Sequence, residues 1–475
     1  IITEAENVLN AACNALEIAK GDNNYRNAWH NHIFMKFVAE VSIDAEKLFT
    51  VINGMARKYE KRLGRLQVGT VELLGRIKRH GTPNATTMRF IITNPTTYRF
   101  DIDAYLELKD LKTKKVLLTP LSGSGRLDGH ENLEPYIPPA AIARKRTLAH
   151  ANNTSYVYDY LELFEAAVKM EWEKFLKARS RPASSMPKKL VEATEFVLNA
   201  ADQLDQVKRE AGQNDIGMVA WLLKLYTPEY PDGRAVVLIA NDISFQSGSF
   251  GVREDVLYKK ASEFAREKRI PRLYIAANSG ARIGLAQEVM KQFRVAWVNP
   301  ENPQKGFKYL YLTDEEYKVL GPQKSVQAKK LEDGTWMITD IIGAEDGLGV
   351  ENLRGSGMIA GETSRAYDET FTLSYVTGRS VGIGAYIVRL GQRTIQDKGP
   401  IILTGAQALN KVLGRRVYAS NHQLGGPQIM YPNGVTHLTV GDTMEGVKQM
   451  VHWLSYVPRE CGVPLPIVPA VDPID

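Results

Sequence analysis

Residues 378–384, Gly-Arg-Ser-Val-Gly-Ile-Gly, have the residue types and spacing that chemistry would need. Three glycines in seven residues permit a sharp turn and let main chain approach a ligand closely. The preceding run, Phe371–Thr377, is apolar and β-branched, as in a buried strand. Ala385–Leu390 then reads as a helix closed by Gly391. Strand, glycine turn and helix together aim N–H groups at an anion or a developing oxyanion. Arg379 lies in the turn, and Arg389 and Arg393 lie near the C-terminal end of the helix. A second stretch, Asn278-Ser279-Gly280-Ala281-Arg282-Ile283-Gly284, repeats the logic between a strand at Arg272–Ala276 and a helix expected over Leu285–Phe293. Arg282, in the first turn, opposes the helix dipole. It therefore pairs with Glu254 or Asp255, or it is held for an anionic ligand.

The pattern admits rivals. A tightly packed strand-to-helix corner needs no ligand at all. A dinucleotide fingerprint fits poorly, because Ile387 stands where a third Gly or Ala is wanted. Gly378–Gly382 is also a literal G-x-S-x-G, with Ser380 as nucleophile and Asp442 and His452 following in the hydrolase order. No P-loop, H-E-x-x-H or paired C-x-x-C occurs, so neither a nucleotide P-loop nor a zinc site is expected. His422, His437 and His452 sit singly on separate elements, which reads as packing or surface.

The elements that must position these turns alternate between strand and helix. Ala235–Ala240 reads as a strand, Val252–Lys268 as a helix, and Val295–Val298 and Pro400–Leu403 as strands. Ala408–Leu413 as a helix, Gly434–Val440 as a strand and Glu445–Ser455 as a helix complete the series, which favours a parallel or mixed sheet flanked by helices. Glycine use shifts along the chain, with 9 in residues 1–200 and 29 in residues 201–475. The first part reads as helices over 3–20 and Asp44–Gln67, with strands at His32–Val41, Val71–Ile77, Met88–Thr93, Tyr98–Leu108 and Lys115–Leu118. That order suits an α+β domain with a mostly antiparallel sheet. Ser180–Lys189 has the composition of a flexible linker.

Length and composition bound the rest. At 475 residues the chain exceeds one ordinary core, and 44% apolar with 24% charged residues fits a soluble globular protein. The net charge of +6, without a dense basic run, does not form a nucleic-acid footprint. Two cysteines, Cys13 and Cys461, give no disulfide framework and suit a reducing, cytoplasmic setting. No apolar run approaches ~20 residues, so no transmembrane helix is expected. The chain opens Ile1-Ile2-Thr3-Glu4, without Met or a signal pattern, as a piece of something larger would.

Long runs in a fixed order carry a resemblance. They include Val237–Ile243, Gly248–Gly251, Ala276–Gly284, Lys305–Leu312, Glu351–Gly357, Arg379–Gln396, Ile402–Gly405, Leu409–Arg415 and Gln423–Gly426. Residues 130–475 resemble the N-terminal half of the carboxyltransferase domain of the eukaryotic acetyl-CoA carboxylase family. Residues 1–125 resemble, more loosely, the last part of that family's non-catalytic central region. The resemblance implies an α/β crotonase-like (ββα-superhelix) carboxyltransferase half-domain preceded by a smaller α+β structural domain. The implied division is 1–130 for the scaffold and 131–475 for the half-domain, with 179–216 linker-like and 217–475 as crotonase-like core.

It also implies a biotin-dependent ligase. A carrier-bound biotin is carboxylated with ATP and Mg or Mn elsewhere in the enzyme, and its carboxyl group passes to acetyl-CoA, giving malonyl-CoA for fatty-acid synthesis. Loss of the carboxyl group leaves a base able to take a proton from acetyl-CoA, and the resulting enolate needs N–H donors at its oxygen. By resemblance Gly382 supplies such a donor, Arg379 binds coenzyme A, and Tyr386 and Leu353 line the cleft. Asn278, Ser279, Gly280, Ala281 and Arg282 lie near the coenzyme A end. The implied partners are the carboxybiotin carrier domain and a second copy in a homodimer, whose C-terminal half completes the site. Ser380 has no nucleophilic role in the family. A crotonase-type hydratase or isomerase would need Glu362, Asp368 or Glu369 as catalytic carboxylates. No Met-Lys-Met biotinylation site or ATP-grasp region occurs, so the isolated chain is expected to be inactive.

Overall fold

The computed structural model describes residues 2–22, 25, 28, 30–78, 84–94, 100–123, 125–131, 142–282, 286–323, 325–341 and 353–466. They fall into two units, residues 1–151 and 152–475.

In the first unit, apolar spacing at Ala5, Leu9 and Cys13 buries one stripe of α1 (Ile2–Ala19). Strand β1 (Asn31–Ser42) follows, then α2 (Ala45–Arg65), whose N-cap Asp44 accepts the Glu46 and Lys47 N–H groups at 3.0 and 3.2 Å. Strands β2 (Val68–Lys78), β3 (Thr86–Thr93), β4 (Asp101–Lys109) and β5 (Val116–Pro120) complete a sheet in the order β1-β2-β3-β4-β5. Its β1–β2 pair, joined through α2, is parallel, and the other pairs are antiparallel. The core gathers Leu9, Cys13, Ile52, Ala56 and Leu63 from the helices against Val71, Leu73, Phe90 and Ile92 from the strands. A charged chain crosses the same sheet. His32 reaches Glu72 at 2.9 Å, Glu72 pairs with Arg89, and Arg89 reaches Glu107 at 2.7 Å. Helix α3 (Ala143–Ala151) also falls in this compact unit. Its Ala143 and Ala149 are buried.

The second unit begins with α4 (Tyr160–Ala178). Strands β6 (Val191–Leu198) and β7 (Leu204–Val207) occupy the stretch expected to be linker-like. Only Glu195 and Phe196 of β6 are buried, so a half-polar edge hairpin reads as a linker by composition. Next come β8 (Met218–Thr227), β9 (Tyr230–Asn241), α5 (Val252–Glu267), β10 (Arg272–Ala276) and the short α6 (Gln287–Met290). A separate antiparallel sheet is formed by β11 (Arg294–Trp297), β12 (Phe307–Leu312), β13 (Val326–Lys330) and β14 (Trp336–Ile341), with α7 (Asp314–Leu320) against it. Tyr317 stacks on Trp336 there at 3.7 Å.

Helix α8 (Leu353–Glu369) returns the chain to the main sheet. There follow β15 (Thr372–Val376), β16 (Ser380–Val381), α9 (Ile383–Arg389), β17 (Arg393–Gln396), β18 (Ile401–Ile402) and α10 (Ala406–Val412). Short helices α11 (His422–Gly425) and α12 (Pro427–Met430), strand β19 (Leu438–Thr439) and helix α13 (Thr443–Leu454) complete the fold.

The main sheet runs β19-β17-β15-β10-β9-β8-β6-β7. Its first five strands are mutually parallel and the rest antiparallel. Beyond the ends of the parallel strands a second layer begins, where β16 pairs with β18 and Phe250 bridges Ala281. Arg234, in β9, is buried and donates to the carbonyls of Leu454 (2.6 Å), Val457 (3.1 Å) and Pro458 (3.0 Å). The first parallel strand thereby holds the end of the last helix.

Candidate functional site

In open α/β sheets ligands bind beyond the carboxyl ends of the strands. The two sequence-selected turns lie there, on neighbouring parallel strands: residues 277–282 follow β10, and 377–382 follow β15. The Asn278 N–H donates to the Arg379 carbonyl at 2.7 Å, so the turns touch directly.

Arg379 is partly exposed, and its Nη1 donates to Asn152 Oδ1 at 3.3 Å. Among the described residues no carboxylate forms an ion pair with it. Tyr386, on α9, is 54% exposed. Gly382 stands at the start of α9 with φ 54° and ψ −119°, a conformation that other residues adopt only with strain. Its own N–H donates to the Ile402 carbonyl at 2.9 Å. The donor that the resemblance assigns to an oxyanion is therefore engaged within the fold. The N–H groups that follow, on Ile383 and Gly384, have no acceptor inside the helix. Beyond β18 an open cleft of about 920 Å³ is lined by Gly405, Ala406 and Asn410, and by the cations Lys411, Arg415 and Arg416.

The second stretch departs from its expected role. Asn278 is fully buried. Its Oδ1 accepts Gly280 N–H and Val381 N–H, both at 3.1 Å, and its Nδ2 donates to Ser380 Oγ at 3.1 Å. All of this amide's capacity is directed inward, so it does not face a ligand. Arg282 donates to Glu254 at 2.6 Å and to Ser249 Oγ at 3.0 Å, which realises the salt-bridge alternative. Ser279 is partly exposed and donates to Ser247 O at 3.2 Å, and Ala281 bridges Phe250. Gly280 is buried, with φ 81°. Leu353 opens α8, and its side chain lies outside the described residues, as do Ile283, Gly284 and Leu285.

The rival chemistries lose their parts. Ser380 is buried in β16 without the positive φ of a strained elbow, and its hydroxyl meets Asn278. Asp442 caps α13, and His452 neighbours Tyr456. Of the carboxylates a hydratase would need, Glu362 and Glu369 are paired with Arg266 at 3.2 and 2.9 Å. Among the described residues no group of metal-ligating side chains occurs, and no helix is long and apolar enough to cross a membrane.

Sequence reasoning missed Asn152, Asn241 and Tyr274, which build the surroundings of the turns. Asn241 ends β9 as Asn278 follows β10, and that parallel placement was the available signal.

Residues 228–475 match the family model of the carboxyl transferase domain, and residues 1–127 match that of the acetyl-CoA carboxylase central region. The chain belongs to the carboxyl transferase domain family. It is 43% identical to the acetyl-CoA carboxylase of Dictyostelium discoideum, over 99% of this chain and 22% of that protein. With the acetyl-CoA carboxylase of Saccharomyces cerevisiae the identity is 44%, over 100% of this chain and 21% of that protein. The chain thus spans about a fifth of the length of these relatives. A crystal structure of the central domain of yeast acetyl-CoA carboxylase aligns at 26% identity over 29% of this chain and 20% of its own, with a TM-score of 0.26.

Proposed function

We propose that this chain is the coenzyme A-binding half of a biotin-dependent acetyl-CoA carboxyltransferase, joined to a structural domain. The observation that carries the reading is Arg379. It is a cation without a carboxylate partner among the described residues, set in a glycine turn at the carboxyl ends of parallel strands. A guanidinium in that position suits a phosphate of coenzyme A. Tyr386, exposed on the next helix, would pack against the ligand. Two successive strand–short strand–helix units, β15-β16-α9 and β17-β18-α10, support the crotonase-like reading of the fold.

Carboxybiotin, delivered on a carrier outside this chain, supplies the carboxyl group and the base. The residues here bind and orient the thioester. Gly382 turns the main chain so that the Ile383 and Gly384 N–H groups become the donors to a developing enolate oxygen, and one such donor is worth ~3 kcal/mol. The cations Lys411, Arg415 and Arg416 add positive potential along the adjoining cleft. The remaining groups would come from the C-terminal half of a partner in a dimer.

Calorimetry with coenzyme A tests the reading. We expect Arg379→Ala to weaken binding tenfold or more, about 1.4 kcal/mol. Equal affinity in the parent and the variant would remove Arg379 from the site. Absence of binding even with the C-terminal half present would overturn the reading.

A further inference from the structure

The amide of Asn278 lies where four elements converge. Besides its bonds to Gly280, Val381 and Ser380, its Nδ2 lies 3.3 Å from Tyr274 Oη, and that hydroxyl donates to Asn241 Oδ1 at 2.6 Å. Burial holds the Tyr274 hydroxyl far above its ordinary pKa, so it remains a neutral donor throughout the working range of pH. Asn241 in turn donates to the Gly248 carbonyl at 3.3 Å, in the loop after β9. The chain Gly248–Asn241–Tyr274–Asn278–Ser380 thus runs across the ends of three neighbouring parallel strands, through neutral groups only.

Two features show that the turn of Arg379 is shaped around this amide. A Cβ on Gly384 would stand 2.1 Å from Asn278 Oδ1, so the third glycine of the turn makes room for the Asn278 amide. The amide also holds both strands of the junction at once. Its oxygen accepts a main-chain N–H from each turn, and its nitrogen donates to the hydroxyl of the second. An apolar side chain would strand two N–H groups, and a carboxylate would lack the donor that Ser380 and Tyr274 accept.

We infer that Asn278 is a positioning residue for the coenzyme A site, tying the turn after β10 to the turn after β15 and thereby placing Arg379 and the main chain of residues 380–384. The inference rests on the coenzyme A reading given above. It predicts that the amide acts on affinity without touching the ligand.

The test compares the parent chain, supplied with the C-terminal half if that is needed for binding, with Asn278→Ala, Asn278→Asp and Gly384→Ala. Calorimetry with coenzyme A and hydrogen exchange of the 380–386 amides are the measurements, and Arg379→Ala is the reference. Asn278→Ala is expected to speed exchange there roughly tenfold and to weaken coenzyme A about fivefold or more. Gly384→Ala pushes the amide aside while leaving it in place, and should reproduce both effects if Asn278→Ala fails to fold. Asn278→Asp keeps both acceptor bonds and regains a donor when protonated, so its affinity relative to the parent should recover as pH falls from about 8 to about 5.5. A residue that only supports the fold would show a flat ratio. Faster exchange with unchanged affinity, or no change in either, overturns the inference. Failure of the parent to bind overturns the coenzyme A reading itself, whereas weakening by Arg379→Ala but not by the Asn278 variants sinks the inference alone.

Discussion

Each unit contains a buried polar network, and the two are built from opposite materials. In the second unit, Asn241, Tyr274, Asn278 and Ser380 are neutral, and most of their bonds end on main chain or on one another across strand ends. In the first unit, His32, Glu72, Arg89 and Glu107 are ionisable and link side chain to side chain across four strands of one sheet. A neutral network fixes the path of a turn and is indifferent to pH within the ordinary range. A charged one fastens strands that the sheet already orders, and it depends on every partner being present. The first kind suits a site whose backbone must hold still, and the second suits a scaffold.

The largest expected effect tests the scaffold side. Arg89 is 1% exposed and Glu72 fully buried, so Arg89→Ala leaves a carboxylate buried without its main counter-charge. Denaturant unfolding of the first unit should show a loss of about 3–5 kcal/mol. A loss under about 1 kcal/mol would mean that the charges are solvated after all.

Asp255, an ionisable group buried in the second unit, provides an intermediate test. Among the described residues neither of its buried carboxylate oxygens has a hydrogen-bond partner, and burial, reinforced by the neighbouring Glu254, pushes its pKa up to about 7. Below the ordinary carboxylate range both folded and unfolded forms are protonated, and the residue costs nothing. As pH rises toward 7 the unfolded chain releases its proton while the native chain retains it, so native stability falls. Asp255→Asn should match the parent near pH 4 and exceed it by roughly 2–4 kcal/mol at pH 8, read from paired denaturation curves. Parallel stability profiles across that range would show that the carboxylate is not buried.

Ser380→Ala should have the smallest effect. It removes one acceptor from Asn278 and should cost about 1 kcal/mol in thermal unfolding. A fluorophosphonate probe should label neither form. Labelling of the parent at Ser380 would restore the hydrolase reading and dissolve the contrast between the networks.

Much of the frame was legible in the residues. Arg272–Ala276 reads as a strand and is one, because a short apolar run bounded by Pro271 and the Asn-Ser-Gly turn has few other uses. The helix expected over Asp44–Gln67 is observed as Ala45–Arg65. The hairpin of β6 and β7 was hidden because an edge strand with few buried residues has the composition of a loop. The helix expected over Leu285–Phe293 is observed only as Gln287–Met290. At the candidate site, both glycine turns were legible in the sequence but the hydrogen bonds between them were not. An asparagine beside a glycine turn looks the same in sequence whether it meets a ligand or a neighbouring turn. Its burial and its bonds to Gly280, Val381 and Ser380 separate the two. Arg282 was the more tractable case, since one of its two named partners, Glu254, proved to be the real one.

The grip of Arg234 on the carbonyls of Leu454, Val457 and Pro458 has a consequence for how the chain is made. More than two hundred residues separate these groups, so a ribosome delivers the acceptors long after the guanidinium. Until they emerge, the cation at the head of the first parallel strand has the neighbouring Tyr230 ring but lacks its three carbonyl acceptors. The sheet can form strand by strand, but it closes only when the final helix arrives. The latch therefore forms late in the synthesis of this unit, and a chain interrupted before Leu454 should lack it.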